Sequence, residues 1–118
     1  MADSAQAVAR LWRGETRSED ADAYEVILRE TGVRDYRATP GNLGVWLMRR
    51  ERTPGRTEFA LLTLWDRRDS IAAFAGNPIE LARYYDVDRD YLLDFRKTVE
   101  HFEVAGAWDG SVADARAA

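Results

Sequence analysis

Three kinds of side chain in this 118-residue chain could do chemistry together: one imidazole, one strand-borne guanidinium and a set of indoles. His101 is the only histidine, and its ordinary pKa lies near neutrality, so it is the candidate proton acceptor. Arg10 is a permanent cation, suited to holding an oxyanion where water is excluded. Trp12, Trp46 and Trp65 offer flat faces for an aromatic ligand, each stacking contact worth about 0.5–1.5 kcal/mol beyond area burial. Thr63 and Met48 alternate into the same set along their strands, and Tyr36, Tyr84 and Tyr85 could hydrogen-bond ligand oxygens from a rim. Each has an ordinary structural use too. His101 could be a hydrogen-bonded strand residue, Arg10 the partner of Glu103, the tryptophans core, and the Tyr84–Tyr85 pair helix packing.

The rest of the composition narrows the options. There is no cysteine, hence no disulfide, thiolate metal site or thiol nucleophile. One histidine cannot build a multi-histidine metal site within one chain. No GxGxxG, GxxxxGK[ST] or GxSxG motif occurs, so no nucleotide, flavin or nicotinamide cofactor is expected. A net charge of -4 with 17 scattered basic residues argues against a nucleic-acid partner. No apolar run approaches the roughly 20 residues of a membrane span, and MADSAQAVARLW does not read as a secretory leader. A cytoplasmic protein is the expectation.

Positioning these groups requires a sheet. Ala7 to Glu15 alternates and reads as a strand. Ser18 is a candidate N-cap, and Ala21, Tyr24, Ile27, Leu28 and Thr31 follow helical spacing up to Gly32 as C-cap. Asp35 to Asn42 reads as loop. Leu43–Glu51 and Thr57–Trp65 read as two strands joined across Pro54-Gly55. Ser70 to Ala75 is a short helix stopped by Gly76; Pro78 to Tyr85 and Asp88 to Phe95 show further helical spacing, and Lys97 to Val104 is a last strand. The order predicts one ferredoxin-like βαββαβ domain of the α+β class over residues 1–105, with a four-stranded antiparallel sheet. Residues 106–118, including Trp108, are expected to be a flexible tail.

Strand alternation splits each strand into two sets. Ala9/Leu11, Val45/Leu47, Ala60/Leu62/Leu64 and Phe102/Val104 are aliphatic and are expected beneath the helices. Arg10/Trp12, Trp46/Met48, Phe59/Leu61/Thr63/Trp65 and Val99/His101/Glu103 are expected on the face turned away from them. A face so aromatic needs cover, and a second copy of the sheet would supply it, giving a homodimeric barrel with a lumen.

With these elements placed, residues 7–105 resemble the antibiotic biosynthesis monooxygenase family of dimeric α/β-barrel proteins. The likeness rests on the element order, on Trp65-Asp66-Arg67-Arg68-Asp69-Ser70-Ile71-Ala72-Ala73-Phe74 and on His101-Phe102-Glu103-Val104. It implies an aromatic-rich pocket at the strand-to-helix junction and cofactor-free oxidation of a small aromatic or polyketide-like molecule by dioxygen. In such a reaction the substrate anion itself reduces dioxygen, while the protein removes a proton, holds the anion and excludes water. Cyclisation or isomerisation of a related intermediate, or ligand binding without catalysis, are the competing readings. The haem-degrading branch is similar at Trp65 but carries a ligand histidine on the next helix; here Ser70 to Ala75 has none, with Phe74 near that place.

Overall fold

The computed structural model describes residues 7–108. Strand β1, Val8–Arg17, leads through a 3-10 turn, Ser18–Asp20, into helix α1, Ala21–Leu28. A π turn, Arg29–Val33, joins it to α2, Arg34–Ala38. Strands β2, Asn42–Thr53, and β3, Arg56–Trp65, form a hairpin. Helix α3, Arg68–Ala75, an irregular strap with a 3-10 turn at Asp86–Asp90, and β4, Glu100–Glu103, complete the chain. The sheet order is β2-β3-β1-β4 and every neighbouring pair is antiparallel. This is the expected ferredoxin-like α+β topology.

The local causes are mostly those anticipated. Pro54 supplies the fixed φ and Gly55, at φ +86°, the left-handed corner of a tight hairpin turn. Gly76, at φ +79°, ends α3 while its N–H reaches Ala72 O at 2.8 Å.

Three segments differ from expectation. Gly32 does not end a helix: Tyr24, Leu28, Gly32 and Tyr36 are all buried at four-residue steps. At 3.6 residues per turn such steps drift around the axis, and the wider π turn takes up the drift. Residues 35–38, expected as loop, are therefore helical and deliver Tyr36 to the core. The stretch from Pro78 to Tyr85 is a strap held by the Leu81–Thr98 bridge, not a helix, and the turn after it is shorter than its apolar spacing suggested. Trp108 is 88% exposed; the rest of the expected tail, 109–118, lies outside the described residues.

The main correction concerns the two faces. Arg10 stands opposite Thr63 and His101, and this face, with Val8, Trp12, Phe59, Leu61 and Trp65, is buried against Tyr24, Leu28, Tyr36, Ile71 and Phe74 of the helices. The aromatic set therefore lies beneath the helices, the reverse of the expectation. Register also regroups β2: Val45 pairs with Thr63 and Leu47 with Leu61, whereas Trp46 pairs with Leu62 and Met48 with Ala60. Ala9, Leu11, Ala60, Leu62 and Leu64 consequently share the open face with Trp46, Met48 and Phe102, the last three being exposed. Helices that bring tyrosine and phenylalanine rings pack best on the strand face that presents rings to them.

Candidate functional site

Arg10 lies at the centre of the helix-covered side, 1% exposed. Its Nη1 donates to Ile79 O at 2.5 Å and stands 3.1 Å from His101 Nε2. Nη2 donates to Leu81 O at 3.1 Å, and Nε donates to Tyr36 Oη at 3.4 Å. The guanidinium also stands 5.8 Å from the centre of the Phe74 ring. Among the described residues no carboxylate pairs with it, and Glu103, the partner considered from sequence, stands opposite Val8 instead. A buried charge without a counter-charge is costly. Carbonyl dipoles, a hydroxyl and a ring face offset part of that cost, but none supplies the missing negative charge.

His101 is defined by this neighbour. Arg10 can only donate, so Nε2 must accept and the ring proton belongs on Nδ1. Nδ1 is buried and has no hydrogen-bond partner among the described residues. Burial first, then repulsion from Arg10 and Arg68, holds the imidazole pKa down at about 4. At neutral pH the pair is a cation beside a neutral acceptor.

The aromatic residues divide. Trp65 is fully buried; its indole N–H donates to Thr63 Oγ1 at 2.8 Å, whose hydroxyl donates to Arg10 O at 3.3 Å. Tyr36 meets Trp65 edge-on at 6.0 Å and stacks on Phe74 at 4.0 Å. A water-sized cavity of about 20 Å³ adjoins the cluster, bounded by Trp12, Tyr36, Phe74, Arg83, Tyr85 and Asp88. Tyr84 packs edge-on to Trp12 at 6.4 Å and donates to Arg96 O at 2.6 Å. Arg10, His101, Trp12, Thr63, Trp65, Tyr36, Tyr84 and Tyr85 thus share the helix side; of these, Trp12, Tyr36 and Tyr85 line the cavity and the others stand outside its wall. Trp46 and Met48 do not join them: both lie on the open face, where Met48 borders a shallow groove of about 290 Å³ with Leu11, Arg13, Arg50, Glu58 and Ala60.

Sequence reasoning missed Ile79 and Leu81, whose backbone carbonyls hold Arg10, because a carbonyl leaves no mark in residue type. It also missed Arg83, Asp35 and Asp88. Tyr85 donates to Asp35 Oδ2 at 2.6 Å, which with the flanking Arg34 keeps the Asp35 pKa below the usual carboxylate range. Tyr24 donates to Asp88 Oδ1 at 2.9 Å, and the Tyr85 backbone N–H donates to Asp88 Oδ2 at 2.8 Å. These contacts pin the strap to α1 and α2. No group of three or more histidine, cysteine or acidic side chains that could hold a metal occurs among the described residues. No helix among them is long and apolar enough to cross a membrane.

No protein-family model matches the chain, and no curated protein does. Solved structures do. A candidate antibiotic biosynthesis monooxygenase from Nitrosomonas europaea superposes with a TM-score of 0.61 at 16% identity, covering 89% of this chain and 95% of the other. A protein of unknown function from the same organism gives 0.63 at 15%, covering 92% and 99%. A haem-degrading protein from Mycobacterium tuberculosis gives 0.50 at 18%, covering 90% and 99%. At 15–18% identity these likenesses are distant, and they show a shared fold.

Proposed function

We propose that the chain is a cofactor-free monooxygenase acting on an electron-rich aromatic or polyketide-like molecule, bound beneath the helices of each subunit of a homodimer. The observation that carries this reading is the Arg10 guanidinium: buried, set against aromatic side chains and, among the described residues, left without a carboxylate. A phenol or enol oxygen entering between Arg10 Nη1 and His101 Nε2 would give its proton to Nε2 and accept from Nη1. The incoming oxyanion supplies the charge that Arg10 lacks. It also screens the repulsion that depresses His101, so proton transfer and anion binding assist each other. The substrate anion then passes an electron to dioxygen, and the two radicals join through a new C–O bond. His101 returns the proton to the peroxide, and loss of water leaves a carbonyl. Nearby, Trp12, Tyr36 and Tyr85 wall the ring system. Entry of a ligand larger than water requires residues 79–81, whose carbonyls hold Arg10, to shift from it, while Arg83 and Tyr85 stay anchored to Phe74 and Asp35.

The dimer in this reading forms through the open face, where Trp46, Met48 and Phe102 are exposed beside half-buried aliphatic residues. Trp46 and Met48 become assembly residues rather than ligand contacts, and closing the two sheets makes the barrel.

The test is oxygen uptake by the full chain, without added metal or cofactor, over a panel of anthrones and naphthols. One dioxygen consumed per substrate, lost in Arg10→Gln, supports the reading. Product formation without oxygen uptake would point to the cyclase or isomerase alternative; binding without product, to a ligand-binding dimer. Haem chemistry fits these residues less well. The only histidine has its Nε2 against a cation, so the donor best suited to iron is not free.

A further inference from the structure

A second cation stands beside the Arg10 cluster. The Arg83 guanidinium lies 4.8 Å from the centre of the same Phe74 ring and 5.1 Å from that of Tyr85. Its Nη1 donates to Phe74 O at 3.1 Å, and it borders the water-sized cavity. The side chain is 40% exposed, so Arg83 stands at the outer end of the arrangement and Arg10 at the inner.

Its nearest carboxylate is not committed to it. Asp35 Oδ2 lies 3.5 Å from Arg83 Nη2, a loose contact. The same oxygen accepts from Tyr85 Oη at 2.6 Å, while Oδ1 accepts from Arg34 Nε at 3.1 Å. Asp35 therefore stays hydrogen-bonded if Arg83 turns to another acid. Arg83 stands over both rings, and among the described residues only Nη1 of its planar donor fork makes a hydrogen bond, to Phe74 O. That fork matches a carboxylate in bidentate geometry. Both guanidinium groups stand over the one Phe74 ring, Arg10 at 5.8 Å and Arg83 at 4.8 Å from its centre, so a flat ligand admitted beside that ring would reach both.

We propose that Arg83 is a specificity-determining residue: it receives a carboxylate at the far end of an aromatic ligand whose phenolic or enolic oxygen is held at Arg10. The preferred ligand class is then a hydroxyaryl carboxylate rather than a neutral phenol. This rests on the Arg10 reading above, and the experiment separates the two.

Binding of 6-hydroxy-2-naphthoate and of 2-naphthol to the full chain is measured by calorimetry. The wild type is expected to bind the carboxylate at least about tenfold tighter. R83Q should lower carboxylate affinity about tenfold and naphthol affinity no more than about twofold, with R83K intermediate because it keeps charge but loses the fork. Naphthol binding with no carboxylate preference, or a preference that survives R83Q, overturns the role of Arg83 and leaves Arg10 standing. Failure of both probes to bind removes both. A melting temperature matched to wild type confirms that R83Q is folded.

Discussion

Arg10 Nη1 and His101 Nε2 face each other at 3.1 Å across the β1–β4 ladder. A permanent donor and a histidine that can only accept are thus fixed as cross-strand neighbours on the buried side of the sheet. The contact dictates the tautomer, adds repulsion to the burial that already depresses the imidazole pKa, and uses the very lone pair that a general base would need. A ligand oxygen inserted between them would relieve all three constraints.

The single histidine makes the first consequence easy to observe. Its ring proton signals should titrate with a midpoint near 4, and Arg10→Gln should move the midpoint upward, though not to the ordinary value, because burial is the larger cause. The folded pKa lies below the unfolded one. The unfolded state therefore binds the extra proton, and stability falls as pH drops from about 6.5 toward 4. A wild-type midpoint near 6.5 would show that the imidazole is neither desolvated nor under the influence of Arg10.

Arg10→Met separates chemistry from folding. It removes a buried charge that has no carboxylate among the described residues and keeps the apolar stem, while the carbonyls of Ile79 and Leu81 lose a donor. These effects oppose each other, so unfolding free energy in urea should change by less than about 2 kcal/mol. Affinity for a naphthol should fall at least about a hundredfold. A loss of several kcal/mol with binding intact would make Arg10 a structural residue.

Assembly is probed from the other face. Trp46→Glu puts a charge on the exposed apolar surface of β2 and touches nothing beneath the helices. Sedimentation should show a dimer for the wild type and a monomer for the variant, with the His101 titration unchanged. A wild-type monomer would remove the open face from the proposed assembly.

Gly32→Ala tests the π turn. A Cβ there would meet Leu61 Cδ1 at 3.5 Å, an ordinary contact, and alanine costs less than glycine in a helical segment. Stability should rise by about 0.5–1 kcal/mol in denaturant melts. A loss would mean that the wider turn needs glycine for a reason the space around it does not show.

The strand order and hairpin were legible because alternation and Pro54-Gly55 are local signals. His101 and Arg10 were placed on one face together, correctly, by the same alternation. Which face takes the helices was not legible, since a period of two divides a strand without naming either side. Nor does it say which half of β2 goes with which half of β3; that depends on register, which carried Trp46 and Met48 to the open side. The Pro40-Gly41 turn signal close behind Tyr36 reads as loop, whereas the helical position of Tyr36 depends on a π turn that tertiary packing selects. Arg83 sits in an irregular strap whose course no periodicity describes.

Along β1, Ala9, Arg10, Leu11 and Trp12 alternate between the open face and the buried one. Neighbouring codons thus answer to two separate demands. Substitutions on one side could reshape self-association while leaving recognition intact, and the converse holds. A single-residue insertion or deletion in this strand would exchange the two programmes at once, so variation here should proceed by replacement and never by a change in length.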